Sequence, residues 1–348
     1  MKVPIQNIYY LLCYAWDKLE EREVVDVSLS DETNLADLFA KVLINGTTYL
    51  FKRGLDRGYL DVNEDTRSLR GKIRISPSIK RNLFRRSMAS CCYDELSYDV
   101  LHNRILKASF RTLLRVGDLD KGLKEELAVL YKKFPPISDI TLESRHFSQV
   151  RLNRNNHFYD FLLQICRIIH ESVFVDEAAG EARFMDFIRD EMRMAAVFEE
   201  FVRNFYRKEL SGFRVGTEYI QWTLAQPSLD DAYLPYMETD TSLTAVDGSR
   251  KIVVETKYYK KVLRSRMGAR GKINSAHLYQ LYAYLKNLEA DKGPNSNCKG
   301  ILLYAAVDED LDFHYSLPGH DLRVKTLNLC QDWKDIHSEL VALVGECA

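Results

Sequence analysis

The stretch from Met237 to Lys257, METDTSLTAVDGSRKIVVETK, restricts the possible fold more than any other part of this chain. Ile252, Val253 and Val254 are three consecutive β-branched residues. Such a run predicts a strand covered on both faces, because a strand with one wet face alternates apolar and polar positions. Just upstream, Asp247-Gly248 is a tight-turn pair that reverses the chain. The strand-like run opened by Asp240 then becomes the neighbour of the apolar one. At its end the covered strand delivers Glu255-Thr256-Lys257. Residues two apart on a strand project from one face, about 6.6 Å apart. Glu255 and Lys257 therefore share a face, and the hairpin returns Asp240 beside them. Charges at the end of a buried strand need a partner or a task.

Two carboxylates and a lysine at a strand end suit metal-assisted hydrolysis of a phosphodiester. Asp240 and Glu255 would hold a hard cation such as Mg²⁺ through oxygen. The cation activates water and steadies the leaving oxygen, and the Lys257 ammonium neutralises developing charge or orients the water. The same spacing also arises in an edge hairpin whose Glu and Lys are merely solvated; the apolar run feeding Glu255 is what sets the two readings apart. Glu199, on a helix before the strands, is either a further metal carboxylate or a surface Glu. Gln280 and Tyr284 lie four apart, on one face of a helix predicted over Ser275–Leu288 with Ser275 as its N-cap. They would hydrogen-bond a phosphate or a base; alternatively Tyr284 joins a core stripe with Leu281, Leu285 and Leu288 while Gln280 is solvated. The basic, glycine-bearing loop 260–272 offers Arg264 and Lys272 to a phosphate backbone, or is a solvated loop.

Composition narrows the class. With 348 residues the chain is long enough for two domains, each with a core. Its 46% hydrophobic and 28% charged residues are those of a soluble globular protein, and no apolar run approaches the ~20 residues of a bilayer span. The N-terminus predicts a helix of the fold rather than a signal peptide. Seven cysteines without a C-x-x-C pair argue against zinc and against a disulfide framework, which fits a reducing, cytoplasmic location. His314 and His320 flank a loop-like SLPG and are expected to be solvated or hydrogen-bonded rather than metal-bound. A net charge of −1 excludes coating nucleic acid by bulk electrostatics, so basic contacts must be local or a partner must bring the substrate. No G-x-x-x-x-G-K-[ST] occurs, which removes nucleotide hydrolysis by a P-loop.

Helical periodicity predicts helices over Ile5–Leu19, Leu35–Phe51, Asp99–Leu114, His157–Val173 and Met185–Tyr206. Strands are predicted over Phe213–Trp222, Tyr236–Val246, Lys251–Tyr259 and Gly300–Val307. The expected class is α/β: an α+β N-terminal adaptor domain over residues 1–152, then a mixed sheet flanked by helices over 153–348. The break is set by Pro135-Pro136 and the polar Asn153–Asn156. Between Arg67 and Arg86 lie eight Lys/Arg and no acid, with Ile73 and Ile75 alternating as in a half-buried strand. This segment would contact nucleic acid or dock an acidic partner, with Arg81, Arg85 and Arg86 as its candidate contacts, or is a solvated hairpin.

Taken together, Asp240, Glu255-Thr256-Lys257 and Gln280…Tyr284 resemble the PD-(D/E)xK nuclease superfamily, in its branch with a trailing Q-x-x-x-Y. The fuller pattern resembles the McrC family, the nuclease subunits of McrBC modified-cytosine restriction systems, over essentially the whole chain. The residues carrying that likeness include Leu69-Arg70-Gly71-Lys72-Ile73, Tyr93-Asp94-Glu95-Leu96 with Asp99, and Asn103-Arg104-Ile105-Leu106-Lys107. Leu152-Asn153-Arg154-Asn155, Phe198-Glu199-Glu200-Phe201-Val202 and Tyr279-Gln280-Leu281 complete the set. The resemblance implies Mg²⁺ held by Asp240 and Glu255, with Lys257 catalytic. Thr239 stands where the superfamily has proline, and Glu255 where Asp is commoner. It also implies double-stranded DNA with modified cytosine as substrate and an McrB-like hexameric AAA+ GTPase as partner, which the N-terminal half docks into and stimulates. Two rivals are a catalytically inactive scaffold that activates a GTPase, and a stand-alone DNA repair nuclease.

Overall fold

The structure is a computed structural model that describes residues 3–18, 34–153, 156–175, 182–184, 190–226, 228–259, 263, 271–291, 293–306 and 310–346. They fall into two compact units, one of residues 34–184 and one of residues 3–18 with 190–346. In chain order the elements are α1 (Ile5–Ala15), α2 (Leu35–Arg53), β1 (Gly58–Thr66), β2 (Lys72–Ile73), α3 (Ile75–Lys80), β3 (Ala89–Ser97), α4 (Leu101–Leu114), α5 (Lys121–Lys133), α6 (Ser144–Gln149), α7 (His157–Ser172), β4 (Val173–Val175) and β5 (Ala182–Phe184). They continue with α8 (Glu191–Glu209), β6 (Phe213–Gly216), β7 (Tyr219–Ile220), β8 (Met237–Glu238), β9 (Thr241–Ala245), β10 (Lys251–Tyr258), α9 (Ser275–Leu288), β11 (Lys299–Ala306), β12 (Asp312–Leu317), β13 (His320–Asn328) and α10 (Trp333–Gly345).

In the first unit α2, α4, α5 and α7 pack together. The Leu38, Phe39, Val42 and Leu43 stripe of α2 is fully buried, as its helical spacing predicts. An antiparallel sheet of order β1-β3-β2 stands beside α3, with Gly58 opposite Ser97 and Thr66 opposite Ala89. The strand predicted through Ile75 stops at Ile73. Ile75 opens α3 instead, where Pro77 falls in a first turn that has no use for its missing N–H, and Ser78 Oγ bonds back to the Arg74 carbonyl at 2.7 Å. The divide expected after residue 152 also moves. Helix α7 packs on α2 and α4, so its contacts place it in the first unit and the boundary falls between residues 185 and 186. Helix α1 belongs to the second unit: Asn7 donates to the Leu329 and Gln331 carbonyls, and Asn204 donates to the Ala15 carbonyl, each at 2.8 Å. Polar, proline-bearing connections mark where a chain turns, not where its packing ends.

The second unit carries the mixed α/β sheet, in the order β12-β13-β11-β10-β9-β6. Strands β10, β11 and β13 run parallel and the other pairs are antiparallel. A parallel neighbour requires a crossover, and α9 supplies it between β10 and β11. One face of the sheet takes α9, with Val253 and Leu302 packed against Leu281, Tyr284 and Leu285. The other takes α8, where Phe198 meets Tyr258 with ring centroids 6.5 Å apart. Strand β10 is thus interior, and Ile252, Val253 and Val254 are completely buried. The two predicted strands around it are each broken, Phe213–Trp222 into β6 and β7 and Tyr236–Val246 into β8 and β9. Asn274, not Ser275, caps α9, accepting the Ala276 N–H at 3.1 Å. Helix α1 ends at Ala15, four residues short of the expected end. Among the described residues no helix is long and apolar enough to cross a membrane.

Candidate active site

Strand alternation puts Val253, Glu255 and Lys257 on the α9 side of β10. Val253 fills the core there, so the next position on that face, Glu255, is carried into cover with none of its surface exposed. Lys257 donates its Nζ proton to Glu255 Oε1 at 2.5 Å. The break between β8 and β9 delivers Asp240: Thr241 is the last β9 residue paired to β10, opposite Val254, and Asp240 stands one step beyond. Its Oδ2 accepts from the Thr256 amide and from Thr256 Oγ1, both at 2.7 Å. From α8, Arg203 Nη1 donates to the Asp240 carbonyl and to Glu199 Oε1, each at 2.9 Å.

These acids feel one another. Burial raises the pKa of Glu255 to about 7; the negative charge of Asp240 adds to the rise and that of Glu199 adds less, against the pull of Lys257. Burial and then Asp240 likewise raise Glu199, opposed by Arg203. Burial disfavours the Lys257 ammonium, but the adjoining Glu255 carboxylate outweighs it and the lysine pKa rises. Glu255 Oε2 is buried without a hydrogen-bond partner. A bare carboxylate oxygen beside a second carboxylate is the donor set a hard cation takes, and Mg²⁺ commonly uses only one or two carboxylates and keeps several waters. The residues present therefore fit Mg²⁺. Among the described residues no ready-made group of three or more His, Cys, Asp or Glu surrounds a cation position; the third expected carboxylate, Glu199, is engaged by Arg203.

Gln280 and Tyr284 meet: Gln280 Nε2 donates to the Tyr284 hydroxyl at 2.9 Å. The Tyr284 ring is buried in the α9 core stripe, as the core reading has it, with Gln280 half-buried against it rather than solvated; its phenol lies close enough to Glu255 and Asp240 to feel their charge. Burial raises the pKa of that phenol, and Gln280 opposes the rise. Arg264 lies outside the described residues. Lys272 is exposed, beside an apolar cleft that includes Ile273, Leu278 and Phe313. Arg81, Arg85 and Arg86 belong to the first unit and are exposed, Arg81 pairing with Asp65 at 2.9 Å. Of the two histidines, His314 pairs with Asp312 at 3.3 Å and His320 is buried with Nδ1 at 2.8 Å from the Cys298 carbonyl oxygen. Arg203 and Thr256 escaped the sequence reading. For Arg203 a signal existed, its place four residues after Glu199 on a helix, the i,i+4 spacing of an ion pair. Thr256 gives none, since strand alternation turns it away from Glu255 and Lys257.

Comparison with known proteins adds to this geometry. Residues 6–305 match the family model described as "McrBC 5-methylcytosine restriction system component". The "Type IV methyl-directed restriction enzyme EcoKMcrBC" of Escherichia coli (strain K12) is 33% identical over 347 residues, spanning 99% of this chain and 98% of that protein. Among solved structures, the half-complex from a tetradecameric assembly of Thermococcus gammatolerans McrB AAA+ hexamers with bound McrC is similar in fold. Its TM-score is 0.61 at 18% identity, covering 98% of this chain and 75% of that one.

Proposed function

Given that this chain belongs to the family of McrBC 5-methylcytosine restriction-system components, we propose that it is the DNA-cleaving subunit of such a system. The observation that carries this reading is the buried Glu255–Lys257 pair at the end of an interior strand, with Glu255 Oε2 left bare beside Asp240. Asp240 and Glu255 would hold Mg²⁺, with Glu199 in reserve behind Arg203. Mg²⁺, when bound, supplies Lewis-acid charge at the scissile phosphate and makes a water more acidic. Lys257, kept protonated by Glu255, would give its proton-bearing nitrogen to the negative charge that grows on the phosphate oxygens. Gln280 and Tyr284 present an amide and a phenol at the rim of the same site for phosphate or base contacts, and the basic loop with Arg264 and Lys272 would track the backbone.

The proposed partner is an McrB-like hexameric AAA+ GTPase, and the substrate double-stranded DNA bearing modified cytosine. The first unit is the proposed docking element. Its sheet and α3 expose Leu69, Ile73, Ile75, Ile79 and Phe84 among the Arg67–Arg86 cations, an apolar and basic surface of the kind that protein partners cover. The test is cleavage of methylated and unmodified DNA, with and without the GTPase and GTP, by wild type and Lys257→Ala. Cleavage by wild type alone of the two, and only of methylated DNA with partner and GTP, is expected. Near-wild-type cutting by Lys257→Ala would sink the site assignment. Robust cutting by the isolated chain would favour the stand-alone nuclease, and no cutting by either protein the inactive scaffold.

A further inference from the structure

Asp240 sits in a bend outside any strand, where a carboxylate ordinarily has freedom to swing. Here the residues on both sides of it are pinned to one acid, Glu218, at the entry of β7. The Thr239 amide donates to the Glu218 carbonyl at 3.0 Å, and the Glu218 amide donates to Thr239 Oγ1 at 3.1 Å. That contact occupies Thr239 Oγ1 as acceptor. Ser242 spends its one proton on Glu218 Oε2 at 2.9 Å, so in the 3.2 Å contact between the two hydroxyls Thr239 is the donor and Ser242 Oγ the acceptor. Each hydroxyl has a single proton to give, so the chain runs one way and ends on the carboxylate. Lys251 Nζ completes it, donating to Glu218 Oε1 at 2.6 Å and to Asn295 Oδ1 at 2.9 Å. The Thr239, Ser242 and Lys251 side chains are all buried. A network whose hydroxyls and ammonium are buried and paired, closing on a partly exposed carboxylate, rigidifies what it spans, and what it spans is Thr239 to Ser242.

We infer that Thr239, Ser242 and the Glu218–Lys251 pair are positioning residues that aim the Asp240 carboxylate at a divalent cation. Resting on the metal-site reading above, the inference deepens it. Neither hydroxyl contacts the cation's proposed donors, so their effect passes through the Asp240 backbone. Proline at position 239 would have no N–H for the Glu218 carbonyl and no hydroxyl for Ser242; threonine does with hydrogen bonds what a fixed φ would otherwise do.

The decisive measurement is calorimetric titration of the full chain with Mg²⁺ in the absence of DNA, with thermal melts in parallel, for wild type, Thr239→Val, Thr239→Ser, Thr239→Pro, Ser242→Ala and Asp240→Asn. Loss of a group bonded directly to a metal ligand commonly weakens metal affinity by about 10–100-fold; Thr239 and Ser242 act one step further out, through the Asp240 backbone, so the low end of that range applies. Thr239→Val and Thr239→Pro are expected to bind Mg²⁺ about tenfold more weakly, and Thr239→Ser to recover wild-type affinity. In cleavage assays with the partner ring, Thr239→Val should shift the Mg²⁺ requirement by the same factor while its rate at saturating Mg²⁺ stays near wild type. Wild-type Mg²⁺ affinity in Thr239→Val overturns the inference; if that variant does not fold, Ser242→Ala decides by the same criterion. Asp240→Asn separates the two levels. Should Asp240→Asn bind Mg²⁺ as wild type does, the metal-site reading itself fails. Should it lose Mg²⁺ while Thr239→Val and Ser242→Ala do not, only the positioning role fails.

Discussion

Replacing Glu255 by glutamine is expected to stabilise this protein above neutral pH while abolishing its proposed activity. The Glu255 side chain has no exposed surface, and burial followed by the neighbouring Asp240 charge lifts its pKa from the ordinary 4.5 to about 7. The folded chain therefore binds this proton more tightly than the unfolded chain does. A raised carboxylate pKa contributes stability that is complete below the unfolded value of 4.5 and is lost as pH rises through about 7. At about 1.4 kcal/mol per pH unit, that span amounts to roughly 3 kcal/mol. Glutamine keeps the shape and imitates the protonated acid, so Glu255→Gln removes the Glu255 share of the slope. Its gain at pH 8 will fall short of the full figure, because Lys257 loses its carboxylate partner. All three tryptophans, Trp16, Trp222 and Trp333, belong to the unit that holds the site, so urea unfolding followed by their fluorescence in EDTA reports on that unit. Wild type should lose more stability between pH 5 and pH 8 than Glu255→Gln does, because the raised Glu199 and Glu200 carboxyls remain in both and only the Glu255 share differs. Adding Mg²⁺ at pH 8 should restore it in wild type alone, by about 2.7 kcal/mol when Mg²⁺ is 100 times its dissociation constant. Parallel pH dependences for the two proteins would refute the reasoning, since the burial and repulsion assigned to Glu255 would then be absent.

Lys251→Met should cost about 3 kcal/mol in the same urea assay, the low end for breaking a buried ion pair, because the Glu218 side chain keeps 30% of its surface in water. Gly300→Ala would place a Cβ 2.9 Å from Leu285 Cδ1 and 3.2 Å from Leu281 Cδ2; those leucines must shift within a packed core where both are fully buried, so about 1–3 kcal/mol is expected to be lost. The same change lifts α9, and a fall in cleavage rate at saturating Mg²⁺ should accompany it. Reversing Arg81, Arg85 and Arg86 to Glu should weaken association with the GTPase ring, measured by co-sedimentation, and leave DNA affinity unchanged; lower DNA affinity with a reduced salt slope and an intact complex would move the basic segment to DNA contact.

Local pattern was enough for some of this. Three β-branched residues in a row at 252–254 implied cover on both faces, and β10 is interior. The same run forced Glu255 and Lys257 onto one side, and a tight turn at Asp247-Gly248 returned Asp240 to β10; Gly248 indeed has φ +72°. Periodicity also placed α2, α4, α7 and α9 to within a few residues. Other parts were missed for identifiable reasons. Strands β1 and β3 were missed because their apolar signal is short: Leu60 and Val62 alternate with Asp61 and Asn63 over only four residues, and β3 buries Ala89, Ser90 and Cys91 but exposes Asp94, Glu95 and Leu96. Helix α5 buries little beyond Leu127 and Leu130, too narrow a stripe to stand out.

What the sequence by itself determined is which side chains share a face of one helix or strand, because that follows from the fixed periods of the backbone. Tertiary structure alone decided that Arg203 reaches from α8 to the Asp240 carbonyl, and that Glu218 and Lys251, 33 residues apart, pin the segment on either side of Asp240. It also decided that α1 joins the C-terminal unit. Those contacts connect residues far apart in the chain, and no period relates such positions: their meeting is set by how helices and strands stack once their apolar faces leave water.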